Sequence, residues 1–245
     1  PRHPDHRPDV DAVLRRVCPH TKVVAIANPN NPTGAWAPKA DLGRLVASLP
    51  EHVVTTVDEA YFEFAEEVPD YPDSLEYLRA GRNVVVLRTF SKIYGLAGLR
   101  IGYAFASPEI SVAMNKVREP FNTTGPAQAA AIAALDDEGH RERSRALVRA
   151  ERPFLAAELA RRGAVVHPSL GNFLLVELPV PYAPIDPEFA RRGVILRPMA
   201  GWGFPLCFRL SIGTHAENLR FLAVFDEVLA TGRLGLAAGA VAAAG

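Results

Sequence analysis

Lys92 lies in the segment LRTFSKIYGLAGLRIGY (residues 87–103), with hydroxyls at Thr89 and Ser91 before it and three glycines and the cation Arg100 after it. The preceding run, residues 83–87 (NVVVL), is apolar and β-branched, as expected of a buried strand. A buried strand that ends in hydroxyls, an amine, glycines and a second cation delivers a reactive amine into a pocket able to hold phosphate. The glycines allow close backbone approach to a ligand.

Two more apolar runs end in polar groups. Residues 22–27 (KVVAIA) read as a strand ended by NPNNPTG (residues 28–34), where two prolines forbid further ladder pairing. Residues 53–57 (VVTTV) read as a second strand, stopped by Asp58 and Glu59, with Tyr61 three residues beyond Asp58. Ligands of an open parallel sheet sit outside the carboxyl ends of its strands. Three successive ends therefore offer an amide within residues 28–34, then Asp58 with Tyr61, then Thr89, Ser91 and Lys92. Pyridoxal 5′-phosphate calls for such a set: an amine for its aldehyde, a carboxylate for its pyridine nitrogen, hydroxyls and a cation for its phosphate. An amide and a phenol suit its 3-oxygen.

The elements that must position these groups follow from periodicity. A helical pattern covers residues 10–17, and a helix restarts near Pro38 with Leu42, Leu45, Val46 and Leu49 at helical spacing. A short helix is expected over 74–80, a strand over 100–106 and a helix over 108–117. Apolar strands alternating with helices predict a parallel, helix-covered sheet. The Ala- and Leu-rich stretch 126–162 predicts long helices. Beyond it, strands over 164–167, 173–178, 193–196 and 207–212, with helices over 186–192 and 216–230, predict a smaller α/β domain. The Ala/Gly-rich tail 232–245 is expected to fray. The domains expected are residues 1–138 and 139–245, the second including a connecting helix.

Length and charge exclude other roles. The 245 residues, 49% of them hydrophobic, suffice for a large and a small core. Lys and Arg number 27, as do Asp and Glu, so there is no net field to hold nucleic acid or an anionic membrane. Cys18 and Cys207 are far apart without partners at metal-ligand spacing and read as isolated buried thiols in a reducing compartment. The seven histidines form no cluster, so no metal is expected. With no apolar run of about 18 residues and no signal-peptide pattern, a cytoplasmic protein is expected. The chain begins without methionine and runs almost at once into a helix, which predicts a cut inside a domain.

The blocks NPNNPTG, Asp58-Glu59-Ala60-Tyr61 and Ser91-Lys92 with Gly98-Leu99-Arg100-Ile101-Gly102 resemble the signatures of fold-type I pyridoxal-phosphate aminotransferases. The RTFSK-to-GLAGLR block, GVILRP (residues 193–198) and FRLSIG (residues 208–213) are similar to the histidinol-phosphate aminotransferase subgroup, and the likeness spans residues 9–230. The resemblance implies a large domain with a mostly parallel sheet covered by helices, a smaller C-terminal α/β domain, and an N-terminal part that precedes Pro1. It implies that Lys92 holds pyridoxal 5′-phosphate and moves the substrate proton, and that Asp58 pairs with the pyridinium. Asn31 and Tyr61 would bond the 3-oxygen, and Ser91 and Arg100 would hold the phosphate with Thr89 nearby. Arg209 would clamp the substrate α-carboxylate and Arg197 a distal phosphate.

The activity implied is a class II-like transaminase of histidine biosynthesis, moving an amino group between L-glutamate and imidazole-acetol phosphate in a homodimer. Rivals on the same scaffold are an aromatic amino-acid aminotransferase and a threonine-phosphate decarboxylase. A rival of another kind is a non-catalytic cofactor-binding fragment.

Overall fold

The structure, a computed structural model, describes residues 2–236. The chain divides into two compact units, one formed by the chain up to Asn30 with Ala35–Arg145, the other by Asn31–Gly34 with the chain from Ala146 onward.

In the first unit, α1 (Val10–Leu14) starts where Asp9 accepts a hydrogen bond from the Ala12 amide at 2.8 Å, and it leads to β1 (Val23–Ala27). Then come α2 (Lys39–Ser48), β2 (Val54–Asp58), α3 (Phe62–Ala65), α4 (Leu75–Arg79) and β3 (Val84–Thr89). After the Lys92 loop follow β4 (Gly102–Phe105), α5 (Pro108–Val117) and α6 (Gly125–Asp136), and α7 (Glu138–Arg161) continues into the second unit. The sheet order is β1-β2-β3-β4. The first three strands are parallel, joined by helical crossovers, whereas the short link to β4 makes that strand antiparallel to β3. Leu42, Leu45 and Val46 of α2 lie at helical spacing and pack on Val24, Ile26, Val57, Val84 and Val86. Register aligns Ala27, Asp58 and Leu87, which places Asp58 and Thr89 on one face of the sheet.

Charge is buried just beyond β2 and near the end of β3. Glu59 is 0% exposed and accepts two hydrogen bonds from Arg88, at 3.0 and 2.8 Å, and one from the Ser74 amide at 3.3 Å. The Arg88 guanidinium lies 3.4 Å from the centroid of the Phe62 ring. Burial pushes the Glu59 carboxyl above its ordinary value, against the pull of Ser74 and Arg88. Glu63, at 5% exposure, is pushed up to about 7, first by burial, with Glu66 and Glu59 adding to the rise and Arg88 opposing it.

The second unit holds β5 (Val165–His167), β6 (Phe173–Glu177), α8 (Asp186–Arg191), β7 (Arg197–Pro198), β8 (Cys207–Ser211) and α9 (His215–Ala230). Its sheet is antiparallel in the order β5-β6-β8-β7. Phe208 of β8 meets Phe189 of α8 and Phe221 of α9 at ring-centroid distances of 6.3 and 6.4 Å. A capping box between Thr214 and Glu217 starts α9.

Several expectations need correction. Residues 193–196 are not a strand: Gly193, with φ of 75°, follows the end of α8, and pairing begins only at Arg197. The first helix stops at Leu14, short of residue 17. β2 and β3 run on to Asp58 and Thr89 because parallel pairing continues through them, and α3 was not foreseen. Cys18 is exposed, and Cys207, though buried, does have partners at ligand distance, since sheet pairing brings His167 and Glu177 beside it. Most of the tail expected to fray, residues 237–245, lies outside the described residues. Among the described residues no helix is long and apolar enough to cross a membrane.

Two stability outcomes follow. Leu45→Ala empties a fully buried position of the first core and should cost about 2–5 kcal/mol in denaturant unfolding. Glu63 binds its proton more tightly folded than unfolded, so its stabilising contribution is complete below pH 4.5 and is lost as pH rises through about 7. Glu63→Gln should therefore be more stable than the parent at pH 8, by up to roughly 3 kcal/mol, and equal to it below pH 4.5. Unfolding midpoints measured across that pH range would show the gap opening or refute it.

Candidate active site

Lys92 is held out by the burial of its neighbours. Phe90, Ile93 and Tyr94 are all buried, and Phe90 packs on Tyr94 and Tyr103 with centroids 5.0 and 5.2 Å apart. The loop closes on itself: the Gly95 amide donates to the Lys92 carbonyl and the Leu96 amide to the Phe90 carbonyl, both at 2.9 Å. Gly95 adopts φ of 71°, a left-handed conformation that glycine takes without penalty. His140 Nε2 donates to the Ile93 carbonyl at 3.0 Å and ties the loop to α7. The half-buried Lys92 amine lies 5.2 Å from the centroid of the Tyr61 ring, which is itself 4% exposed.

Around this amine the chain gathers hydroxyls and a cation. Thr89 Oγ1 accepts from the Ser91 amide at 3.0 Å. Arg100, in the left-handed region with φ of 52°, donates from Nη1 to Ser91 Oγ at 3.4 Å and to the Ala97 carbonyl at 2.8 Å. Gly102 pairs with Thr89 across β3 and β4, where a Cβ would stand 2.8 Å from the Arg88 carbonyl oxygen. A side chain there would force β4 away from the strand that carries Thr89.

Asp58 ends β2, the next strand over, and its carboxylate accepts from the Ala60 amide at 3.0 Å. A strand-end acid is buried here, but it is Glu59 rather than Asp58, which is exposed. Successive strand residues point to opposite faces, which explains the exchange. Asp58, Thr89, Ser91, Lys92 and Arg100 line one cavity of about 370 Å³, within the range of small-molecule sites. The lining suits a phosphorylated aromatic aldehyde: an amine for the carbonyl, a hydroxyl and guanidinium for phosphate, a carboxylate for a ring cation.

The other candidates lie in the second unit. Arg209 and Arg197 are register partners on β8 and β7 and line a cavity of about 260 Å³. Arg209 donates to the side-chain carbonyl of Asn31 and stacks 5.1 Å from the centroid of the Phe173 ring. Arg209 is half-buried and partnered. Arg197 is exposed. Gly34 closes the Asn31 loop with φ of 77°, and a Cβ there would meet Ser169 Oγ at 2.1 Å.

Glu59 and Arg88 escaped the sequence reading. The available signal was a charged residue, Arg88, inside a strand otherwise buried, which calls for a carboxylate partner.

The sequence profile of the aminotransferase class I and II family matches residues 2–225. The chain is 47% identical to a histidinol-phosphate aminotransferase of Anaeromyxobacter over 90% of its length, and 46% identical to a second one from Methylococcus capsulatus over 93%. It spans 61% of each of these relatives. A crystal structure of histidinol-phosphate aminotransferase from Sinorhizobium meliloti in complex with pyridoxal-5′-phosphate superposes with a TM-score of 0.84 at 32% identity, over 94% of this chain and 64% of that one. By fold and by sequence, the chain belongs to the class I and II aminotransferase family.

Proposed function

We propose that the protein is a pyridoxal-phosphate aminotransferase that interconverts L-histidinol phosphate and 2-oxoglutarate with imidazole-acetol phosphate and L-glutamate. The reading concerns the whole protein, since the chain spans 61% of the curated relatives' length. The observation that carries it is one cavity onto which the Lys92 amine, the Asp58 carboxylate and the Ser91–Arg100 pair all open. The family profile and relatives of 46–47% identity support the same reaction.

Ser91, Arg100 and Thr89 would hold the cofactor phosphate, Asp58 its ring nitrogen, and Tyr61 with Asn31 its 3-oxygen. When bound, the cofactor supplies an electrophilic carbonyl and a ring that accepts electrons. Lys92 Nζ would hold the cofactor through that carbonyl and, when free, would act as the base that takes the proton from substrate Cα. Arg209 orients the substrate through its α-carboxylate, a planar bidentate match, and Arg197 meets a distal phosphate. In this reading the protein works in the cytoplasm as a homodimer.

Borohydride reduction of the full-length protein should fix a pyridoxyl group on the peptide carrying Lys92; labelling elsewhere overturns the site. Lys92→Ala should lower kcat by at least about 10³-fold. In a single half-reaction L-histidinol phosphate should convert the cofactor absorbance faster than phenylalanine does. The reverse order would assign the protein to aromatic amino acids.

A further inference from the structure

In the second unit, three side chains of different donor chemistry meet on one face of the sheet. Glu177, on the central strand β6, pairs in register with Cys207 of β8 on one side and with Val165 of β5 on the other. His167 is two residues beyond Val165, so its ring lies on the same face as Glu177 and Cys207. His167 Nε2 is 2.9 Å from Glu177 Oε2, and one ligand atom from each of the three residues lies within 4.8 Å of the others. Ligand atoms about 2.0–2.3 Å from a tetrahedral ion stand roughly 3.3–3.8 Å apart, so side-chain rotations suffice to close the set.

From this geometry we propose that His167, Glu177 and Cys207 form a binding site for a borderline divalent cation of the Zn²⁺ type, with water completing the tetrahedron. One imidazole, one carboxylate and one thiol make the ligand set. Magnesium and calcium are excluded, since they take oxygen ligands, usually six or more. Imidazole with a thiolate suits zinc and cobalt. Burial, and secondly the charge of Glu177, pushes the Cys207 thiol up to about 12, so an entering cation must displace a proton from sulfur, as zinc-class ions do. Access is from the outer side: the Glu177 and His167 side chains are 37% and 16% exposed, while Cys207 is 3% exposed beneath them, against Leu175, Met199 and Phe204.

The bound ion would join β5, β6 and β8 through side chains, in addition to their backbone pairing. Cys207 is two residues from Arg209 on the same face of β8, so the ion would also anchor the strand that carries that guanidinium. The strictly structural alternative is a His167–Glu177 ion pair beside an unrelated buried thiol.

The test uses the full-length protein, treated with a chelator, freed of it and titrated with Co²⁺ alone. One equivalent should develop near-ultraviolet thiolate-to-cobalt charge-transfer absorption, which Zn²⁺ then removes. The band should vanish in Cys207→Ser and persist in Cys18→Ser. His167→Gln should weaken binding about tenfold or more, the scale on which even outer partners of a ligand act. Zn²⁺ should raise the Tm of the parent and not of His167→Gln. No band, or a band that survives in Cys207→Ser, overturns the site. Should Cys207→Ser fail to fold, the partly exposed His167 decides, and unchanged affinity in His167→Gln overturns it.

Discussion

The ion pair between Glu59 and Arg88 is the constraint around which the first unit is arranged. A carboxylate with no solvent exposure is tolerable only when its hydrogen-bonding capacity is filled, and here two guanidinium contacts and the Ser74 amide fill it. The pair joins residues just beyond β2 and near the end of β3. Asp58 precedes one partner and Thr89 follows the other, so two elements of the candidate site inherit their spacing from a contact neither makes. Phe62, beneath the guanidinium, explains why the short α3 sits where it does.

The Lys92 loop obeys a complementary rule. A flexible amine is positioned by burying what flanks it, and Phe90, Ile93 and Tyr94 do so while Arg100 bends back to the Ser91 hydroxyl. Two charged groups result: the Glu59–Arg88 pair, its carboxylate fully buried, and the more exposed Asp58, Lys92 and Arg100 that line the cavity.

What was legible in the sequence was local. The apolar runs at residues 22–27, 53–57 and 83–87 announced parallel strands because such runs are the usual mark of them, although β1 and β2 bury chiefly one face here. The polar residues after them could be read as a site because strand ends of such a sheet converge. Pairing across strands was not legible. Nothing in the spacing of Glu59 and Arg88, 29 residues apart, says that they touch, and the same holds for His167, Glu177 and Cys207. The short β7 was misplaced because a β-branched run after Gly193 imitates a strand, while the pairing that decides the matter is set by β8. The exposure of Asp58 was not legible for a similar reason: alternation assigns a face, but the neighbouring layer decides whether that face is covered.

Under the proposed role of Arg209 as a carboxylate clamp, its hydrogen bond to Asn31 would bear on selectivity. The guanidinium greets any incoming ligand with one donor already committed to a neutral amide. An ester or amide offers it no better acceptor, whereas a carboxylate or phosphate, whose charge-assisted bonds are roughly twice as strong, outcompetes the incumbent. Within that proposal, Asn31 would favour an anionic visitor over a neutral one at the single donor it occupies.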